Sequence, residues 1–342
     1  MELMKVVDLL VDKIKREYKD DIAIVALCGS YIYGDTHEKS DLDFYFIPKT
    51  ERGYEMAQCF ILEGIGFDFW GMSWSRAESL AGYDETNTSI ISKARIIYYS
   101  TQEDLDRFNA LRDLGSRISK EEFLKKAAEQ VDACQEFYFR MLESKDSFSS
   151  VKRNAIQVLY YAAFSIALLN GRYIERGGRN LLKEILMMAL LPDDFENSYM
   201  TIVNSRSIEE MAVTAQTVII SLRNLIQLQR EPLKESITQG FYEEIKSIYN
   251  KLLHECETDN RQGIMLAIAR LDHDVFQLLN NAGCSYSQFP DLFSISCCGD
   301  NGALIKAVHD HEKLLLEILN SSGVQIVEYK ALEDFRAHLE AL

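Results

Sequence analysis

Only four of the 342 residues are proline, so little in the chain forbids long helices. Beyond residue 118 only Pro192, Pro232 and Pro290 interrupt the helical periodicity, and each falls near an element boundary. Basic residues are also short: 37 Lys and Arg stand against 53 Asp and Glu, for a formal net charge of -16. A protein that grips DNA or RNA along its backbone presents a concentrated basic stripe, and none stands out here, so no nucleic-acid partner is expected. The first fourteen residues, Met1 to Ile14, place apolar positions at helical spacing among charges and read as neither a signal peptide nor a membrane span. Seven cysteines form no CxxC pair and no Cys/His cluster at zinc spacing, which fits a reducing, cytoplasmic setting without a disulfide framework. Vicinal Cys297 and Cys298 read as buried or semi-buried small apolar residues, and His309 and His311, two apart on a helix, as surface residues. There is no internal repeat and no low-complexity tract.

Against these absences stands one dense segment. An apolar run, Ile22 to Leu27, leads into Cys28-Gly29-Ser30-Tyr31-Ile32-Tyr33-Gly34-Asp35, and a polar stretch ending at Ser40 leads into Asp41-Leu42-Asp43-Phe44-Tyr45-Phe46-Ile47. A buried strand, a glycine turn at the start of a helical turn, and a second strand are predicted. Gly29 lets the backbone approach a phosphate, and Ser30 adds a hydroxyl beside backbone N–H groups. Residues i and i+2 of a strand share a face, so Asp41 and Asp43 project together while Leu42 and Phe44 enter a core. Two adjacent carboxylates repel unless a cation neutralises them, and Mg2+, an oxygen-seeking ion commonly completed by substrate phosphates, suits the pair.

A two-metal phosphoryl site generally wants a third carboxylate. Asp68, in Ile65-Gly66-Phe67-Asp68-Phe69-Trp70, is the candidate, because an acid between large apolar neighbours must face a metal, a cation or solvent. Gln58 to Leu62 and the Glu63-Gly64 turn place Asp68 on the second strand of a hairpin; Glu63 itself reads as a solvated turn residue.

Further along, Ile96 to Tyr99 reads as the last strand and Gln102 to Leu114 as a helix with an acidic first turn. Gly115-Ser116-Arg117 then breaks the pattern. Helical periodicity follows over 121–142, 151–170, 180–190, 208–229, 233–256 and 263–280. From residue 284 come a strong helix at 302–319, the apolar run Val324 to Val327, and a last helix ending at Leu342. The expected organisation is α+β: a small mixed sheet with flanking helices over 1–117, an all-α bundle over 118–283, and a mainly helical extension over 284–342 packed on the bundle.

The span from Gly29-Ser30 to Asp43, with Asp68 beyond it, resembles the signature of the DNA polymerase beta-like nucleotidyltransferase superfamily, and within it the aminoglycoside nucleotidyltransferases of the kanamycin type. The motif covers about the first hundred residues. The resemblance implies a nucleotide and a second substrate held between sheet and helical bundle, transfer of a nucleoside monophosphate to a hydroxyl, and release of pyrophosphate. It also implies two Mg2+ ions and ATP or another NTP as co-substrate, and it allows a homodimer, because related enzymes build the site across two chains.

On the same resemblance Glu136 is the candidate general base, since it lies on the first long helix after the linker, where related enzymes use a glutamate; Asp132, one turn earlier on the same face, is its rival. The patch from Asn170 to Lys183 packs basic residues and glycines into a loop before a helix. Lys183 and then Arg179 are its candidates for the triphosphate or leaving pyrophosphate, as related enzymes use a lysine from the helical domain. Tyr160 and Tyr161 could stack on a base or fill the bundle core. Together these residues predict Mg2+-dependent transfer, most simply of AMP from ATP, to a hydroxyl of a small molecule, with an aminoglycoside favoured because the acidic chain would attract a polycation. Modification of a partner protein, as antitoxin-type relatives do, and nucleotide binding without chemistry are the alternatives.

Overall fold

The computed structural model describes residues 3–34, 36–37, 40–230, 239–282 and 284–341. Asp35, Pro232, the expected helix start at 233, and Leu342 lie outside the described residues. The chain divides into two compact units, Met1–Arg230 and Glu231–Leu342.

The first unit opens with α1 (Leu3–Lys13), which runs on into one wide turn at Ile14–Tyr18, followed by β1 (Ile22–Leu27), the short α2 (Ser30–Tyr33) and β2 (Phe44–Pro48). The hairpin of β3 (Gln58–Leu62) and β4 (Ile65–Gly71) turns at Glu63 and Gly64. Both turn residues have positive φ, 50° and 81°, the geometry a two-residue hairpin turn needs to match strand twist. Helices α3 (Trp74–Ala81) and α4 (Ser89–Ser92), strand β5 (Arg95–Tyr99) and helix α5 (Gln102–Arg112) complete the sheet region.

The sheet order is β3-β4-β2-β1-β5, mixed, with β2 and β4 parallel and the other neighbours antiparallel. The two central strands β1 and β2 are buried along their whole length, which is why both read as unbroken apolar runs. One face, with Tyr45, Ile47 and Ala26, packs on α3 and α5 through Ala77, Leu80 and Phe108. The other, with Phe44, Phe46 and Phe69, packs on Val7 and Val11 of α1. This is the small mixed sheet of the α+β expectation.

A bundle follows in the same unit: α6 (Lys120–Glu143), α7 (Phe148–Leu169), α8 (Leu181–Ile185), α9 (Phe195–Asn204) and α10 (Ile208–Gln229). Side chains of Ser119, Ser147 and Ser207 accept the N–H three residues on and cap α6, α7 and α10. Helix α7 is the centre of this core, buried without a break from Ala162 to Leu169.

The expected helix at 180–190 is cut to five residues. It closes in tighter turns, with Met187 N–H donating to the Glu184 carbonyl and Met188 N–H to that of Ile185, and beyond them the Asn170 amide, capping α7, accepts from Leu190 N–H at 2.8 Å and donates to the Leu190 carbonyl at 2.8 Å. Helix α9, bounded by Asp194 in the left-handed region, was not anticipated.

The second unit holds α11 (Phe241–Glu257), α12 (Arg261–Asn281), α13 (Leu292–Cys297), α14 (Asn301–Ser321) and α15 (Leu332–Ala341). Helices α11 and α12 share their core with α13 and α14, so the compact unit begins before residue 284. The run Val324 to Val327 forms no strand; Val327 N–H donates to Glu243 at 2.6 Å. Two surface expectations reverse here. His311 is fully buried, with Tyr249 Oη at 2.8 Å from Nδ1 and Tyr286 Oη at 3.2 Å from Nε2. Cys297 and Cys298 are exposed free thiols, because α13 ends there and turns both to solvent.

Candidate functional site

The Gly29 turn is built around a carboxylate. Gly29 has φ 70° and ψ -157°, and a Cβ placed on it would fall 1.9 Å from Asp43 Oδ2. Only glycine lets that carboxylate lie against the backbone. The Cys28 N–H donates to the Asp43 carbonyl at 2.9 Å, joining the turn to the strand entrance, and the Ser30 N–H donates to the Asp43 carboxylate. Desolvation against this turn raises the Asp43 pKa, the charge of Asp41 raises it further, and the Ser30 N–H partly offsets both. Charge on Asp43 is therefore held at a cost that a cation would relieve.

Asp68 stands one residue before Phe69, and Asp43 one before Phe44, and these phenylalanines are paired in the parallel β2–β4 register. Asp68, in the middle of β4, thus lies level with Asp43 at the entrance to β2. Asp68 is exposed and accepts from the Cys59 thiol at 3.1 Å, its antiparallel partner on β3. Among the described residues no three His, Cys, Asp or Glu side chains stand close enough to be grouped around one metal ion.

A cleft of ≈ 630 Å³ opens beside this turn. One wall is Gly29, Ser30, Tyr33, His37, Ser40 and Asp41; the β3–β4 turn supplies Gly64 to Gly66; the loop from Glu175 to Asn180 supplies the rest. That loop brings Arg176 and Arg179 to the cleft, and the Arg176 guanidinium lies 5.2 Å from the Tyr33 ring centroid. Glu175 pairs with Lys93 at 3.2 Å, tying the loop back to the sheet region. The Tyr33 hydroxyl is buried without a hydrogen-bond partner, and burial, with Glu175 next, pushes its pKa well up.

Of the residues singled out by sequence, Gly29, Ser30, Asp41 and Arg179 line one cleft and Asp43 packs directly behind Gly29. Glu136 and Lys183 do not line it. Glu136 is exposed on α6 and ion-paired with Arg140, Asp132 is exposed one turn earlier, and Lys183 is exposed on α8. Tyr160 and Tyr161 belong to the bundle, with Tyr161 stacked on Phe137 at 5.3 Å and Tyr160 edge-on to Phe164 at 4.7 Å. Tyr33, His37 and Arg176 were missed. Tyr33 and His37 sit between the two halves of the motif, a position that could have flagged them, whereas the choice of Arg176 over Lys183 depends on how the loop folds.

Residues 105–227, which span α5 to α10, match the KNTase C-terminal domain family. No curated protein matches the chain. Among solved structures, a nucleotidyltransferase-like protein from Exiguobacterium sibiricum 255-15 is similar at 14% identity and a TM-score of 0.38, over 80% of this chain and 90% of that one. So slight a likeness carries no argument here. Residues 105–227 are about a third of the chain, and the similarity to the KNTase C-terminal domain is confined to that span.

Proposed function

We infer that the protein is a Mg2+-dependent nucleotidyltransferase that moves a nucleoside monophosphate, most simply AMP from ATP, to a hydroxyl of a small molecule and releases pyrophosphate. The observation that carries this reading is the cleft itself, where Gly29, Ser30 and Asp41 face Arg176 and Arg179. Asp41 and Asp43 fit a cation because the charge of Asp41 adds to the cost of ionising Asp43, and Mg2+ held by them would neutralise phosphoryl oxygens and lower the pKa of the attacking hydroxyl. Asp68, level with Asp43 on the next strand, would complete the ligand set once released from the Cys59 thiol.

The remaining work falls to positioning and charge. Ser30 and the Gly29 backbone line the phosphate side, and Arg176 and Arg179 face the triphosphate and the charge that builds on leaving pyrophosphate. Glu136, paired with Arg140 outside the cleft lining, is not required as a base in this scheme. An aminoglycoside-like acceptor is favoured by the kanamycin-type resemblance and by the net charge of -16.

A second reading, nucleotide binding without turnover, draws on the Cys59 hydrogen bond to Asp68 and on the lack of a three-ligand group among the described residues. One assay separates them: Mg2+-dependent pyrophosphate release from ATP across aminoglycosides and lincosamides, with Asp41→Ala, Asp43→Ala as the blank. Acceptor-dependent release lost in the blank supports transfer. ATP binding with no release for any acceptor supports the second reading, and release undiminished in the blank overturns the site.

A further inference from the structure

The cleft loop owes its shape to a residue that does not line the cleft. Glu184, on α8 between buried Leu181 and Ile185, sends its carboxylate under the loop. Its Oε2 accepts the Glu175 N–H at 2.8 Å, and its Oε1 accepts the N–H groups of Arg176 at 2.8 Å and Gly177 at 3.1 Å. Three successive N–H groups converging on one point make an anion nest of the kind that binds phosphate in many proteins. Here the protein's own carboxylate fills it. These three N–H groups are thereby committed, and the cationic residues with which the loop lines the cleft are Arg176 and Arg179.

We propose that Glu184 is the positioning residue that sets these two arginines over the triphosphate site, a role that rests on the nucleotidyl-transfer reading above. Charge-assisted hydrogen bonds are among the stronger ones, and three of them on one carboxylate outweigh the freedom of a short glycine loop. Gly177 and Gly178, at φ 56° and 48°, take backbone positions that favour glycine and carry the chain from the nest to Arg179. The chemistry requires two acceptor oxygens at glutamate length. Glutamine turns an NH2 toward either one or two of the three donors, and aspartate falls a methylene short.

The test measures Mg2+–ATP binding to the full chain by calorimetry, without acceptor, in wild type, Glu184→Ala, Glu184→Gln, Arg176→Ala/Arg179→Ala, and that pair combined with Glu184→Ala. Glu184→Ala is expected to weaken ATP by about tenfold or more, as loss of a supporting partner commonly does, with Glu184→Gln between it and wild type. In turnover kcat/KM for ATP falls, and kcat at saturation falls with it, because the same arginines meet the charge that builds on leaving pyrophosphate. In the arginine-free background Glu184→Ala adds almost nothing, because the groups it positions are gone. Amide exchange at 175–177 accelerates in Glu184→Ala but not in the arginine variant.

Unchanged ATP affinity in Glu184→Ala, with faster exchange at 175–177, overturns the assignment, and so does a penalty that is equal in both backgrounds. If Glu184→Ala does not fold, Glu184→Gln, which keeps its volume, carries the same comparison. A wild-type chain that binds no nucleotide overturns nucleotidyl transfer and this role with it, a result distinct from tight binding that ignores Glu184.

Discussion

Gly29→Ala is the sharpest single perturbation of this site, because two separable costs meet at one Cβ. The backbone there, φ 70° and ψ -157°, lies in a region essentially reserved for glycine, and holding another residue in it costs about 1–3 kcal/mol. For a compact unit of this size that corresponds to a fall in Tm of about 2–12 °C. The second cost is steric. The new Cβ would sit 1.9 Å from Asp43 Oδ2, so the carboxylate must withdraw by roughly an ångström, and misplacement on that scale costs about 10²-fold in rate.

The assay is pyrophosphate release together with thermal unfolding of Gly29→Ala, alone and in an Asp43→Ala background. Removing the carboxylate deletes the two closest contacts and leaves only the Asp43 Cβ at 2.9 Å, so the stability cost of Gly29→Ala should fall toward that of the backbone alone. Turnover and Tm both unchanged in Gly29→Ala would refute the reasoning. An identical Tm loss in both backgrounds would remove the steric half of it.

Three further outcomes are expected. Asp43 has a raised pKa in the fold, so its ionisation opposes folding: the cost is absent below the unfolded carboxylate pKa and complete above the folded one. In metal-free buffer Asp43→Asn should therefore raise Tm at pH 7 and have no such effect at pH 3, as scanning fluorimetry would show; a lower Tm at pH 7 would contradict the crowding described. Glu136→Gln should lower kcat less than about threefold, whereas loss of a general base costs about 10²–10⁴-fold, and steady-state kinetics decides between them. His311 has its pKa lowered to about 4, chiefly by burial, with Asp272 and Glu312 opposing. A His held neutral in the fold contributes stability above pH 6.5 that is lost as pH falls toward 4, here on the order of 3 kcal/mol, read from urea melts followed by NMR of the second unit and absent in His311→Phe.

What the sequence made legible follows the range of the forces involved. The buried run Ile22 to Leu27, the Glu63-Gly64 hairpin turn and the helical periodicity of 121–142 and 208–229 are local statements, and all of them appear in the fold. The course of the chain at Leu190 was illegible because it is held by Asn170, twenty residues away, and the burial of His311 because its partners Tyr249 and Tyr286 come from two other segments. In the site the same division holds. The role of Gly29 was read as room for a phosphate, whereas the structure gives it a neighbour in the chain itself, Asp43. The patch Asn170 to Lys183 was visible as basic, but which cations reach the cleft depends on Glu184 folding the loop beneath them.

That loop also refines how charge acts on the two substrates. The chain as a whole is strongly acidic, yet among the described residues the loop opposite Asp41 brings Arg176 and Arg179 to the cleft, and the Glu175 beside them is paired with Lys93. Long-range field and local wall therefore have opposite signs. A polycation drawn by the net charge meets two guanidinium groups at the cleft, while a triphosphate repelled at a distance finds matching charge on arrival. Within a Debye length the wall decides, so the described lining suits the nucleotide. On the proposed reading, an acceptor of either sign would be recognised by surfaces that become favourable once the phosphates have neutralised the arginines, which would make the nucleotide itself part of the acceptor's binding site.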